Sequence, residues 1–280
     1  MRDVFFLSAG SFNAPAAMVE PLALKRLRRL RRSVRLSNTV AVVVRDSGDV
    51  VLVDCGWSRE ACAAPTRVLG RVQASFLGLQ VKTGDAIVDQ LRMHGLDPAR
   101  VKTIVATHLH LDHTGGACDF PNAEVVCSDV ELSAFRVRPP AAGYRVADLE
   151  TARLRPVYLG AGPSYGFPAS HDLFGDGEVV LLDAHGHTPG LVAVAIRSRE
   201  AARCYVHIGD AAYQTWEWAL SPAGPSALSR LQAWRPDLLR LRYAALRDCE
   251  ADPRKPVIVP SHDQAVFERL PHAPSKEAAA

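Results

Sequence analysis

The chain has 280 residues, 48% hydrophobic and 22% charged, a balance that suits a globular protein long enough to bury a full core. No apolar run approaches the roughly 20 residues needed to cross a bilayer, and the start Val4-Phe5-Phe6-Leu7 is too short for a secretory signal. The net charge of +3 is local: seven basic residues and no acidic one lie between Lys25 and Arg35, so the remainder of the chain is net acidic.

In chain order, the opening apolar run predicts a first strand. Residues 25–35 predict a basic helix, with Leu27, Leu30 and Val34 on one face and arginines around the rest. A hairpin follows, residues 38–44 and 50–54 about the turn Asp46-Ser47-Gly48-Asp49. Residues 83–94 predict a helix ended by Gly95, 102–106 a strand and 123–127 another. Ser128-Asp129-Val130-Glu131 has capping-box spacing at a helix start. Residues 136–176, rich in Pro, Gly and Ala, predict an irregular excursion. Strands are expected at 178–182, 191–196, 203–208 and 256–259, and a helix over 226–249 broken or kinked at Pro236. The segment 271–280 reads as a flexible tail. Strands and helices interleave without a linker or short repeat, which predicts one α/β domain over residues 1–280. Six cysteines without a Cys-x-x-Cys pair read as free, mostly buried thiols of a cytoplasmic protein.

The chemistry concentrates in Thr107-His108-Leu109-His110-Leu111-Asp112-His113, directly after the apolar run Ile104-Val105-Ala106. Three of the chain's 10 histidines and a carboxylate fall in this one loop. Three further strand ends carry ligand-type residues: Gly186-His187-Thr188-Pro189-Gly190, Gly209-Asp210 and Ser261-His262-Asp263. His108, His110, Asp112, His113, His187, Asp210 and His262 are too many donors for one tetrahedral ion. They suit two divalent ions about 3.5–4 Å apart, sharing a carboxylate and a water. Imidazole and carboxylate without thiolate favour Zn, with Mn, Fe and Co as alternatives.

Together with the earlier Val53-Asp54-Cys55-Gly56, these motifs resemble the metallo-β-lactamase superfamily, over about residues 38 to 263. The resemblance implies a four-layer αββα sandwich with the metals in a cleft at one edge of two packed sheets. It implies that His108, His110 and His187 hold one ion, that Asp112, His113 and His262 hold the other, and that Asp210 bridges them. The commonest β-lactamases use a Cys ligand and lack this Asp, so Asp210 points away from lactam hydrolysis.

Tyr213, three residues after Asp210, resembles the tyrosine of the N-acyl homoserine lactonases. The expected activity is therefore opening of a lactone's ester ring, most specifically an N-acyl homoserine lactone, by a hydroxide bridging the two metals. Tyr213 would act on the carbonyl and Asp112 would carry a proton to the leaving alkoxide, with Asp54 orienting a ligand histidine. The alternative is another hydrolase on the same metals, a hydroxyacylglutathione-type thioesterase or a phosphodiesterase or nuclease. Nucleic acid is disfavoured as a partner, because the arginine run lacks interleaved aromatics. The expected partner is a small-molecule lactone, and a homodimer is left open. Many members have a histidine where this chain has Leu191, which weakens the subfamily assignment more than the metal assignment. His185 reads first as a residue without a site role and His207 as a core residue, Trp216 and Trp218 as core, and Phe5, Phe6, Phe12 and Met18 as unplaced candidates for an acyl-chain groove.

Overall fold

This computed structural model describes residues 3–21, 32–76, 78–137, 143–198, 203–220 and 224–273. Its strands are β1 (Asp3–Pro15), β2 (Ser33–Val44), β3 (Val50–Val53), β4 (Leu79–Gln80), β5 (Val101–Val105), β6 (Glu124–Ser128), β7 (Arg153–Val157), β8 (Ser170–Asp172), β9 (Val179–Asp183), β10 (Val192–Arg197), β11 (Cys204–Gly209) and β12 (Val257–Pro260). They form a seven-stranded sheet in the order β4-β1-β2-β3-β5-β6-β7 and a five-stranded sheet in the order β12-β11-β10-β9-β8.

The helices are α1 (Ala16–Val19), α2 (Arg59–Ala63), α3 (Pro65–Leu69), α4 (Arg71–Phe76), α5 (Ile87–Met93), α6 (Leu111–Thr114), α7 (Asp129–Val137), α8 (Trp216–Ala219), α9 (Ala227–Gln232), α10 (Pro236–Glu250) and α11 (Gln264–Phe267).

The layering follows from strand periodicity. In β2, Val40 and Val42 face one apolar cluster, which also holds Ile87, Leu91, Leu132 and Phe135 of the flanking helices. Their neighbours Ala41 and Val43 face a second cluster, shared with Leu181, Val192, Val194 and Ile196 of the other sheet. In β10 the alternation continues outward, with Ala193 and Ala195 packed in a third cluster against Trp218, Leu239, Tyr243 and Leu246. Three apolar interiors separated by two sheets give the expected αββα sandwich, each strand supplying two interiors because its side chains alternate.

Several expectations change. Ser33, Val34 and Arg35, assigned to the basic helix, are strand residues of β2 that pair with Pro15, Ala14 and Asn13 of a long β1. Residues 25–31 of that predicted helix lie outside the described residues. The segment 136–176 is not wholly irregular: β7 adds to β6 in parallel and β8 to β9 antiparallel. Pro236, by contrast, marks the expected break: α9 ends at Gln232 and α10 begins at Pro236, in the first turn where its missing N–H costs nothing. The beginning of the expected tail is held, since Phe6 N–H donates to Pro271 O at 2.8 Å. Residues 274–280 lie outside the described residues.

Candidate metal centre

Strand direction brings the four ligand-bearing loops together. β3 and β5 are parallel, so Asp54 and the 106–113 loop leave the first sheet at one edge. In the second sheet β9 and β11 both run antiparallel to β10, and β12 runs parallel to β11. Their C-terminal ends therefore share an edge too. Backbone hydrogen bonds stitch the two edges: Val192 N–H to Thr107 O at 2.9 Å, and Thr39 N–H to Ser261 O at 3.0 Å. Gly209, at φ 53, makes this approach feasible, because a Cβ there would meet Thr107 Cβ at 2.8 Å.

All seven predicted donors meet at this seam. His108, His110 and His187 form one group that could hold a metal ion, Asp112, His113 and His262 another, and His108, His113 and Asp210 a third, each with ligand atoms within 4.8 Å of one another. Asp210 stands between the first two. Its Oδ1 lies 3.3 Å from His113 Nε2 and 3.2 Å from His262 Nε2, while its Oδ2 lies 3.4 Å from His187 Nε2 and 4.0 Å from His108 Nε2. His187 Nε2 also faces His110 Nδ1 at 3.2 Å, and Asp112 Oδ2 lies 3.5 Å from His113 Nε2. His108 Nε2, His113 Nε2 and Asp210 Oδ1 are buried with no hydrogen-bond partner among the described residues. Buried polar atoms are rarely left so; converging imidazoles and a carboxylate with unsatisfied atoms fit divalent cations well.

A surrounding layer turns the imidazoles inward. His113 Nδ1 pairs with Asp54 Oδ2 at 2.8 Å and His262 Nδ1 with Ser37 O at 2.6 Å, leaving each Nε2 for the cluster. Asp54 also accepts from Thr107 N–H at 2.8 Å and Thr107 Oγ1–H at 2.9 Å, and that Oγ1 lies 3.1 Å from His108 Nδ1. One carboxylate thus orients a histidine in each predicted ligand set. Asp54 holds φ 61, a left-handed conformation uncommon for a residue with a Cβ. Sequence pattern pointed to Asp54 but missed Thr107, although it directly precedes His108, and Asn38, whose Nδ2–H donates to Asp112 O at 2.7 Å.

Electrostatics divide the cluster. Burial lowers His108 well below the usual imidazole range, aided by His113 and His110, and lowers His187 to about 3. Burial also disfavours charge on His113, but Asp112, Asp210 and Asp54 reverse this and hold its pKa well above the ordinary value. Burial would raise Asp210, yet His262, His113 and His187 depress it far below the usual carboxylate range. Burial, with Asp210 and Asp112, raises the Tyr213 phenol well above its ordinary value, so it stays protonated and able to donate. The Tyr213 ring lies 5.0 Å from that of His262 and 5.9 Å from that of His187.

The remaining candidates scatter. His185 pairs with Asp183 at 2.6 Å, half-buried, two residues before His187. His207 is a core residue whose Nε2 bonds Thr39 O at 3.0 Å. Trp218 is buried, with its indole N–H donating to Glu250 at 2.8 Å. Phe12 packs edge-on to His262 at 5.5 Å and against Trp57 at 5.9 Å, so this groove candidate reaches a predicted ligand. Five cysteines are buried and Cys118 is exposed, and none forms a disulfide among the described residues. No helix among the described residues is long and apolar enough to cross a membrane.

A two-sheet sandwich with clustered His and Asp loops at one edge defines a metallohydrolase class of fold. The family profile described as the Metallo-beta-lactamase superfamily matches residues 34–262, and the chain belongs to that superfamily. Among individual relatives, the chain is similar to N-acyl homoserine lactonase AttM of Agrobacterium fabrum, 31% identical over 192 residues and 67% of each chain. It is also similar to a probable metallo-hydrolase of Mycobacterium tuberculosis, 33% identical over 188 residues, 62% of this chain and 56% of that one. Its fold matches a B. thuringiensis AiiA variant with N-decanoyl-L-homoserine bound at the active site, with TM-score 0.73 at 20% identity, covering 96% of this chain and 98% of that one.

Proposed function

We infer that this chain is a metal-dependent hydrolase that opens the ester ring of a lactone, with N-acyl homoserine lactones as the substrate class. The observation that carries the reading is Asp210, set between two pairs of imidazoles, with the Tyr213 phenol against His187 and His262. In this reading His108, His110 and His187 hold one divalent ion, Asp112, His113 and His262 a second, and Asp210 both. The all-nitrogen-and-oxygen donor set suits Zn, then Mn, Fe or Co. Bound there, the ions supply Lewis acidity and water acidified to near neutral pH.

The side chains do the rest. Tyr213 donates a hydrogen bond to the carbonyl oxygen as negative charge builds on it. Asp112, the partly exposed carboxylate of the cluster, carries a proton to the ring oxygen as the acyl C–O bond breaks. Asp54 and Ser37 O hold His113 and His262 in the inward-facing tautomer throughout. The named activity of AttM supports a lactone over other carbonyl substrates, and the N-decanoyl-L-homoserine held in the AiiA structure is in keeping with it. The buried free thiols suit a reducing cytoplasm.

The test is a pH-stat panel of short- and long-chain acyl homoserine lactones and simple lactones, run on protein of assayed metal content. Ring opening at two metals per chain, abolished by chelation and restored by Zn or Mn, is the expected result. Two bound metals with no lactone opened would overturn the substrate assignment and move it to thioesters or phosphodiesters.

A further inference from the structure

Glu131 lies outside the donor set and has no role in the chemistry above, yet its carboxylate is among the most thoroughly enclosed in the molecule. Its sequence context is the capping-box spacing Ser128-Asp129-Val130-Glu131, and half of that box forms: Glu131 N–H donates to Ser128 Oγ at 3.0 Å. The carboxylate makes its recorded bonds elsewhere. Oε1 accepts from Leu109 N–H at 3.0 Å and from the Tyr144 hydroxyl at 3.1 Å. Oε2 accepts from the Thr188 hydroxyl at 2.7 Å and from Gly190 N–H at 3.1 Å.

These four donors surround one triad. Leu109 separates His108 from His110, Thr188 directly follows His187, and the Tyr144 ring lies 5.1 Å from that of His110. The loops belong to different sheets, so Glu131 joins an arm from β5 to an arm from β9 at the end of the sandwich. Ser128 completes the joint by donating to Gly190 O at 2.6 Å. Gly190 is required there, since a Cβ would fall 2.1 Å from Glu131 N. A buried carboxylate is costly unless hydrogen-bonded on both oxygens. A helix cap needs no such burial; a fixed brace between two loops does.

We propose that Glu131 is a positioning residue that sets the separation of the His108–His110 arm from the His187 arm, and hence the metal affinity of that triad. The inference rests on the reading of those histidines as ligands. The carboxylate is essential in it because each oxygen meets one immovable backbone N–H. An amide would turn one of its ends into a donor facing a donor.

The experiment compares full-length wild type, Glu131→Gln, Thr188→Val and Thr188→Ser, each loaded with Co(II). Visible spectra and chelator competition report each bound ion, and thermal melts of the stripped proteins report the scaffold. Glu131→Gln should bind one of the two ions about 10- to 100-fold more weakly and shift the visible bands. Thr188→Val should move both readouts in the same direction, and Thr188→Ser should return them to wild type. Wild-type affinities and spectrum in Glu131→Gln, whatever its melting temperature, would overturn the proposal and leave a purely structural cap. If Glu131→Gln does not fold, Thr188→Val decides: unchanged cobalt binding overturns the proposal, and weakened binding rescued by serine supports it. A wild-type chain that takes up no Co(II) overturns the proposal together with the ligand reading.

Discussion

Asp210 concentrates the chemistry of the site in one side chain. Its two oxygens face different imidazole pairs, and Oδ1, beside His113 and His262, has no hydrogen-bond partner among the described residues. Asp210→Asn keeps the shape but removes the negative charge set between the four imidazoles. It is expected to lower metal content below two per chain and to remove activity with it; a fully active, two-metal variant, by metal analysis and pH-stat, would sink the bridging role. Tyr213→Phe should separate the two properties. The ring contacts with His187 and His262 survive, so both metals should remain, while loss of one oxyanion donor should lower kcat roughly 100-fold. An unchanged kcat would leave Tyr213 as packing. That Asp54 orients a ligand histidine is legible in the sequence, but which histidine it meets, and its bonds to Thr107, are not, because these contacts span more than fifty residues of sequence.

At the scale of elements, α8 carries the chain away from Asp210 and Tyr213 and is anchored by a buried acid. Glu217 accepts hydrogen bonds from Ser229 Oγ at 2.8 Å, and from Tyr243 Oη, tying α8 to α9 and α10. Burial raises the Glu217 carboxyl from 4.5 to about 7, despite the hydrogen bonds that pull it down. A folded-state pKa above the unfolded one favours the protonated, folded form. The contribution is therefore complete below about pH 4.5 and is lost as pH rises through 7, a change of order 3 kcal/mol. Glu217→Gln should flatten this component, so its melting temperature should gain on wild type between pH 5 and 8. Parallel melting curves across that range would remove the carboxyl as the cause. The elements that pattern missed have physical reasons. β7 reads Arg-Leu-Arg-Pro-Val, without apolar alternation, and exists because it pairs with β6 at a sheet edge where its proline is tolerated. Ser33 to Arg35 continue a basic run but are drawn into β2 by pairing with β1.

For the whole molecule, the candidate metal centre is also a seam between the sheets. His262 Nδ1 reaches Ser37 O, and Ser261 O receives Thr39 N–H, so the predicted ligand loop of the second sheet is bonded to a strand of the first. Ions bound across this seam stabilise the folded state by mass action, about 3 kcal/mol at a hundredfold excess over Kd. Chelation should then lower the melting temperature by roughly 5–10 °C in a chain of this length, reversibly on adding Zn. A melting temperature indifferent to chelator would mean the edge is fully formed by protein contacts alone.

The sequence by itself determined which side chains could serve as donors, because the histidines and carboxylates are spaced within short loops that follow apolar runs. It also determined the alternation that gives each strand two interiors, since that pattern is local to the strand. Only the tertiary structure decided how the groups meet. Strand directions bring four loops to one edge, the two oxygens of Asp210 are set toward different histidine pairs, and Glu131 leaves half of its capping box to brace loops from two sheets. Such relations depend on through-space distances between residues far apart in the chain, and no local spacing encodes them.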